Sequence, residues 1–581
     1  MSRIIYDGEK IVVDATRINV EHLNQIAEKY NAEFLSNIYS YVFDRSINVI
    51  LDLTTIEGAL WDPSFEDLVN KVRAREERRL KEINDIGLPE KLFPFQKEAV
   101  ARMLKSERNT LLASDQGTGK TCMSCTYLAY KEDSLPALLV CPASLKTNWQ
   151  VELQKWAPNL KSFIINGRSS YADSTVIALA KQADVVIINY DILGEDDKEA
   201  SRKEKERIKL AKENGWKYRK AFIPTKGWSE EFNNNFNFKT VICDECQYIE
   251  STKAIRSRAV IQVTKNPKIK KLFLSGTPFE TKVRQFYNAC HILAPDLFPS
   301  ESDYLFRYCD PKKNYFGWTF DGLSHVDELR NKLAMFMIRY KKEDVLKQLP
   351  PKQKIPVYLD MDSKSRKNYD EMEAELVEQK DGIEQFSYLG KMKQALVDIK
   401  IEPVVQFIKD TLEVENKVVV FTYHNSMYES LMKKFAGQCV GINGSTPTLE
   451  RQPQVVKFQN DPAIKVFVGQ IQAASVGLTL TAARTVIFTE WGQTAAQMAQ
   501  AYDRIHRIGQ NADRCIGYYL ICKDTIDEDP LVSLEKHNSD IEAVMNGNDN
   551  SSMLDYDSLM IAKVKERLLM KKKKSISIEY E

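Results

Sequence analysis

Between residue 88 and about residue 300 the chain repeats one pattern, a short unbroken apolar run followed by a stretch with helical spacing. The runs are TLLAS, ALLVCPA, DVVIINYD, KTVICDE and KLFLSGTP. Their apolar residues are consecutive, not alternating with polar ones. That predicts strands covered on both faces, as in a parallel sheet. The pattern stops near 300 and returns after 415 as KVVVFTYH, GQCVGING, KVFVGQI and RTVIFTE. Two α/β units follow, separated by a segment rich in helix formers, aromatics and charge.

The expected boundaries are 88–335 for the first unit, 336–415 for a linker and helical insertion, and 416–545 for the second unit. Residues 546–581 read as a C-terminal helix and basic tail. Ahead of the first unit, residues 1–87 read as a small α+β accessory region. RIIYDG, KIVVDA and NVILDLT are its β-type runs, and Ser64 to Asn84 is a charged helix. The first unit carries an insertion near 192–236. Within it, Glu195 to Glu213 holds seven acids and seven bases, the mark of a solvated helix. No repeat of solenoid length is visible.

Composition narrows the class. The 581 residues are 43% hydrophobic and 28% charged, a globular balance with room for two to four domains. Lys+Arg 82 against Asp+Glu 81 excludes a polycation but not a local basic groove. The N-terminus lacks a signal core, and no apolar run nears the ~20 residues of a membrane span. Ten cysteines in 581 residues are too sparse for a disulfide scaffold. The expectation is a soluble protein of a reducing compartment, cytoplasmic or nuclear.

Three segments carry chemistry. In TLLASDQGTGKT a strand runs into a Gly-rich turn and then Lys-Thr at a helix start. Glycines admit a phosphate close to the backbone, and the N–H groups cradle it. Lys120 then reaches the β- and γ-phosphates and Thr121 ligates magnesium. Ser114 stands where the usual pattern begins with glycine. KTVICDECQ ends a buried strand on Asp244 and Glu245, suited to holding a metal and activating water. In QAYDRIHRIGQ, Arg504 and Arg507 share a helix face, so two guanidinium groups can meet one phosphate. Each alone has an ordinary alternative: a chance loop, an acidic strand cap, a solvated basic helix.

Together with their neighbours these segments resemble the helicase motifs of superfamily 2. FPFQ, DQGTGKT, LLVCPASLKTNWQVELQKW, DVVIINYD, DECQ, LFLSGTP, VVVFTYH, SVGLTLTAARTVIFTE and QAYDRIHRIGQ occur in the family's order. CPASLKTNW and RIHRIGQ are similar to the Swi/Snf-type DNA translocases. MIRYKKEDVLKQLPPK is similar to that family's link between lobes. LFRYCD, FGWTFDG and LPPK look most like the annealing-helicase (HARP) branch. The resemblance spans about 90–545.

The resemblance implies two RecA-like lobes, parallel sheets flanked by helices, with ATP between them. It implies that Gln96 reads adenine, and that Gly117, Thr118, Gly119, Lys120 and Thr121 hold phosphates. Asp244 and Thr121 then hold Mg2+, Glu245 activates water, and Arg504 and Arg507 are arginine fingers. Gln247, Ser275, Thr277 and Gln500 couple nucleotide state to lobe motion. Ser144, Trp149, Thr422, Ser475 and Thr479 face the DNA backbone. Position 247 is Gln where most of the branch has His, and TEWGQTAAQ departs from the usual Trp-Asn-Pro.

The implied activity is an ATP-driven motor on duplex or forked DNA, indifferent to sequence because backbone contacts carry none. Strand separation, and an ATP-gated DNA scaffold with little turnover, are the alternatives. No chromatin-reader domain is visible, which fits a viral or bacterial protein. The pairs Cys122/Cys125 and Cys243/Cys246 have zinc-site spacing. A metal there would occupy the ATP site, so they read as small buried hydrophobes. The six histidines show no metal-ligand spacing. Lys571 to Lys574 read as a solvated helix end, a phosphate contact or a localisation signal.

Overall fold

In a computed structural model of the chain, the described residues are 3–528 and Val544. Excepted are 17–19, 31, 46, 57–58, 217–220, 279–281, 315–316, 379–381, 475–476 and 493. The basic run Lys571 to Lys574 lies outside them. The chain forms two compact units, Met1–Ala101 and Arg102–Glu581.

The first unit is built on a five-stranded sheet. Its order is Glu33–Leu35, Ser40–Asp44, Lys10–Asp14, Arg3–Tyr6, Leu60–Trp61. Ile4, Ile11, Val13 and Phe43 are wholly buried against Leu53, Phe65 and Val69. The run NVILDLT, expected as β, is a helix over Ile47–Leu53. Val49, Ile50 and Leu53 all enter the core, and that spacing suits one helix face. Tertiary packing outweighs the β-branched composition. Helix Pro63–Asp85 begins with Pro at its first position, and the Asp62 carboxylate accepts from the Ser64 backbone N–H.

The second unit contains two all-parallel sheets. The first has seven strands: Met337–Ile338, Thr110–Leu112, Lys270–Leu274, Thr240–Asp244, Ala137–Cys141, Val185–Asn189, Ser162–Ile164. The second has six: Lys352–Leu359, Cys515–Cys522, Thr485–Phe488, Val418–Thr422, Val466–Gln470, Cys439–Ile442. Every apolar run of 88–300 and 415–490 is a strand, as expected. Covering on both faces is visible residue by residue. Val419 and Phe421 join one apolar cluster, while Val418 and Val420 join the other. At about 1.5–3 kcal/mol for each buried side chain, such strands are the main source of lobe stability.

Four strands lie outside the runs singled out from the sequence, although one of them, Cys515–Cys522, is itself a buried apolar run. Two of them frame the link between the sheets. Met337–Ile338 closes the edge of the first sheet and Lys352–Leu359 the edge of the second. The latter is mostly solvent-exposed and contains Pro356, which an edge strand tolerates. After it, helices Ser363–Glu378 and Gly382–Val414 lead back into the second sheet. The mixed-charge insertion forms helix Lys198–Glu213, capped by Asp197. Among the described residues no helix is long and apolar enough to cross a membrane.

Candidate active site

The phosphate loop follows strand Thr110–Leu112 and ends at helix Lys120–Tyr130. Gly117 and Gly119 have φ of +82° and +89°, the left-handed region where a side chain is strained. Lys120 lies inside the loop. Its ammonium donates to the Ser114 carbonyl at 2.8 Å and the Asp115 carbonyl at 3.2 Å. Burial lowers its pKa, opposed by Glu245, Asp244 and Asp115. The Thr118 hydroxyl donates to the Asp115 carbonyl at 2.8 Å. Gln96 belongs to the first unit, on helix Pro94–Lys105, where it is buried and accepts the Phe93 N–H at 3.0 Å.

Asp244 ends the central strand Thr240–Asp244, two strands from the loop's own strand. Its carboxylate accepts the Trp149 indole N–H at 2.8 Å and the Glu245 backbone N–H at 3.0 Å. Burial, then the Glu245 charge, raise its pKa. Two carboxylates thus stand buried side by side, each raising the cost of charging the other. A divalent cation fits there by charge and by donor type, oxygen ligands from carboxylate and hydroxyl. Glu245 has φ of +53°, unusual for a residue with a side chain. Such strain concentrates at functional positions.

From Glu245 a continuous hydrogen-bond chain crosses to the other lobe. Its carboxylate accepts Gln116 Nε2 at 3.2 Å and Gln247 Nε2 at 2.9 Å. Gln247 Oε1 accepts the Ser275 hydroxyl at 2.8 Å, and Ser275 Oγ accepts the Thr277 N–H at 3.0 Å. Thr277 Oγ1 accepts Gln500 Nε2 at 3.3 Å. The chain therefore includes all four residues expected to couple the lobes. The glutamine at 247 uses both ends of its amide, donating one way and accepting the other. Neutral histidine can do the same, but glutamine does it without titrating.

The arginine segment closes the other side. A Cβ added at Gly117 would lie 3.4 Å from Arg507 Cγ and 3.3 Å from Lys342 Nζ. The phosphate loop is thus in direct contact with the second lobe. Arg507 also bonds the Asp503 carbonyl and Thr479 Oγ1. Arg504 is only 1% exposed, and its guanidinium donates to the carbonyls of Gln500 and Leu478. The two arginines therefore differ in degree: both guanidinium groups bond their own lobe, but the Arg507 stem also lies against the loop, while Arg504 is wholly buried. His506 Nε2–H donates to the Pro350 carbonyl at 2.8 Å, a structural contact. Burial, with Lys352 and Lys342 nearby, pushes its pKa down to about 4, so it is neutral at pH 7.

Sequence reasoning missed the clamp that joins these parts. The Lys342 backbone N–H donates to Asp115 of the phosphate loop at 2.9 Å. Its ammonium bonds the His506 carbonyl at 3.0 Å and the Asp503 carboxylate at 2.9 Å. Lys352 holds the same carboxylate at 2.5 Å. Burial would push the Asp503 carboxyl up, but the two lysines hold it well below its usual range. The only sequence hint was three charges, Lys342, Lys352 and Asp503, inside segments already singled out for other reasons. Lys342→Met is expected to speed amide exchange across 338–346 and 500–510 by roughly tenfold or more, since it leaves the buried His506 carbonyl without its donor and Asp503 with one lysine in place of two, at a cost of about 1–3 kcal/mol. Lys352 still neutralises Asp503, so the effect stays local. Unchanged exchange in both segments would remove the clamp.

The segments expected to face DNA are partly redistributed. Trp149 is wholly buried and holds Asp244 instead, because its indole points inward from helix Lys146–Trp156. Thr422 is wholly buried at the end of its strand. Ser144 is half-buried and Thr479 exposed. Ser475 lies outside the described residues. The two segments meet across the lobes, where a Cβ on Gly477 would fall 2.2 Å from Leu145 Cδ2. The four paired cysteines are buried, Cys122 and Cys125 on the phosphate-loop helix and Cys243 and Cys246 beside Asp244. Burial raises all four thiols, so each is a poor thiolate.

Comparison with known proteins follows the same outline. The SNF2-related domain matches residues 95–429, and the helicase conserved C-terminal domain matches 399–509. A SWI/SNF-related matrix-associated actin-dependent regulator of chromatin subfamily A-like protein 1 from Xenopus laevis is 30% identical over 482 residues, 80% of this chain and 45% of the relative. The DNA annealing helicase and endonuclease ZRANB3 of Bos taurus is 31% identical over 451 residues, 75% of this chain and 39% of the relative. The chain therefore spans less than half the length of these curated relatives. A Sulfolobus solfataricus SWI2/SNF2 ATPase core in complex with dsDNA is 23% identical, with 79% of this chain and 94% of that one covered and a TM-score of 0.37. With the SNF2-related domain matching well over half of its length, and two parallel-sheet lobes meeting at a phosphate loop, the chain belongs to the SNF2-related family of helicase-like proteins.

Proposed function

We propose that the chain is a DNA-dependent ATPase that uses ATP and Mg2+ to track along duplex DNA. The observation that carries this reading is the approach of Arg507 to Gly117, beside a buried Asp244–Glu245 pair. One nucleotide bound there touches both lobes. Lys120 and the loop N–H groups hold its phosphates. Asp244 and Thr121 hold magnesium, which neutralises the β- and γ-phosphate oxygens when bound. Glu245 orients the attacking water, and Arg507 meets charge developing on the γ-phosphate. The chain from Gln247 to Gln500 then reports the state of Glu245 to the second lobe.

On this reading the first motor lobe runs from about 88 through strand Met337–Ile338, the second takes in strand Lys352–Leu359 with the sheet of 418–522, only 339–351 connect the two sheets instead of the expected 336–415, and 1–87 is an accessory region. Ser144 and Thr479 are the remaining described candidates for phosphate contacts from opposite lobes. One relative named above is a regulator of chromatin and the other a DNA annealing helicase and endonuclease, and the latter name favours annealing of strands over their separation. Fork reversal or annealing is therefore the physiological reading we favour.

The test is phosphate release measured with single-stranded, duplex and forked DNA side by side, together with displacement of a third strand from a triplex. The expected result is duplex or fork stimulation that falls steeply with salt, because counterions compete for the same phosphates. Triplex displacement should accompany it, while a simple tailed duplex stays paired. Unwinding of the tailed duplex without triplex displacement would favour a strand-separating helicase. DNA binding without turnover would favour the ATP-gated scaffold.

A further inference from the structure

The first lobe carries an aromatic hairpin that the nucleotide site does not use. Strands Lys312–Asn314 and Gly317–Thr319 pair antiparallel, with Lys313 directly across from Trp318. Cross-strand partners share one face of a ribbon. The Trp318 indole is 50% exposed and Phe306 beside it 45%. Phe306 meets both Trp318 and Phe320 edge-on, each at 5.1 Å between ring centroids. Phe320 in turn packs on the lobe's apolar core. The indole is therefore braced from behind while half of its surface faces solvent.

The charges around it indicate what the indole meets. Lys313 is exposed and has no ion-pair partner among the described residues. Lys312 pairs with Asp310 at 3.0 Å. At the hairpin base Asp321 is shared by Lys282 at 2.9 Å and Arg284 at 3.3 Å. Three of these four cations are paired with carboxylates, which leaves Lys313, directly across from Trp318, to meet an outside anion. Lysine is depleted where proteins bury aromatic anchors against each other. Lysine beside an open ring is instead the chemistry of nucleic-acid strands, with a phosphate for the ammonium and a base for the π-face. Duplex bases are stacked on one another and offer no free face, so only unpaired bases fit.

We infer that the Trp318 hairpin is a stacking platform for unpaired bases, such as those at a DNA junction, with Lys313 on the adjoining phosphate. The inference rests on the DNA-motor reading only for its physiological use. It gives this chain a way to tell a junction from plain duplex, separate from the phosphate contacts of the two lobes.

The full-length protein, its Trp318→Ala, Trp318→Phe and Lys313→Glu variants are compared for binding to a single-stranded oligonucleotide containing 2-aminopurine, to a fork with unpaired arms, and to plain duplex. Phosphate release with duplex is measured alongside. Trp318→Ala should lose roughly tenfold or more in affinity for the oligonucleotide and the fork, as removal of one stacking ring does elsewhere. Trp318→Phe should keep most of it, and Lys313→Glu should weaken binding most at low salt. Duplex binding and duplex-stimulated turnover should stay at the parent level in all three. Parent-like oligonucleotide affinity in Trp318→Ala overturns the platform and leaves the motor reading intact. So does an indole that iodide cannot quench, read as the difference between parent and Trp318→Phe, since another part of the chain then covers it. Absence of duplex-stimulated turnover in the parent overturns the motor reading instead, while the oligonucleotide measurements still decide the platform.

Discussion

Glu245→Gln is expected to stop nucleotide turnover while ATP binding survives. The carboxylate is 5% exposed and receives amide donors from Gln116 and Gln247. Glutamine has nearly the same volume, so the loop, Lys120 and Asp244 stay in place. What is lost is the negative oxygen that orients a water and accepts its proton. General-base contributions of this kind amount to about 10²–10⁴ in rate. Single-turnover phosphate release and binding of a fluorescent ATP analogue separate the two effects. Turnover comparable to the parent would remove Glu245 from catalysis. Weakened ATP binding would point to a metal-holding role shared with Asp244.

The two arginines should separate cleanly, and their order follows from geometry. The Arg507 stem lies against Gly117 of the phosphate loop and its bonds to the Asp503 carbonyl and Thr479 lie towards solvent, whereas Arg504 is buried and bonded to the carbonyls of Gln500 and Leu478. Arg507→Ala should therefore cut turnover by on the order of 10³–10⁵, as loss of an arginine finger does, with little change in thermal stability. Arg504→Ala should lose turnover too, but also stability, by about 1–3 kcal/mol, because it leaves buried carbonyls without donors. The pair is read from steady-state phosphate release and calorimetric unfolding of the same samples. Normal hydrolysis in Arg507→Ala would mean that the second lobe is no part of the site. Equal stability losses in both variants would put Arg507 in the same structural role as Arg504.

What the sequence made legible is what is local in the chain. The phosphate loop, the Asp244–Glu245 pair and the arginine segment are each contiguous, and each sits where a strand or helix ends. Continuous apolar runs such as VVVFT also declare themselves, because burial on both faces leaves no room for polar residues. The clamp was not legible, since Lys342 and Asp503 are far apart in sequence and neither charge says which partner it meets. Trp149 illustrates a different limit. The resemblance set it towards the DNA backbone, whereas its indole lies on the inward face of its helix and holds Asp244. Lys352–Leu359 escaped because an exposed edge strand needs no apolar run, and NVILDLT misled because a β-branched composition also suits a buried helix.

If the chain is the DNA motor proposed above, the connector between the two sheets has a consequence for how long it can stay on its track. Strands Met337–Ile338 and Lys352–Leu359 are anchored by backbone hydrogen bonds in different sheets, so only the thirteen residues 339–351 are free to lengthen. Fully extended they span at most about 45 Å. A lobe that lets go cannot diffuse beyond that tether, and it re-engages at an effective concentration in the millimolar range for a short linker. Recapture is then intramolecular and does not depend on protein concentration. Processivity would be limited by simultaneous release of both lobes, not by the weaker grip of either one.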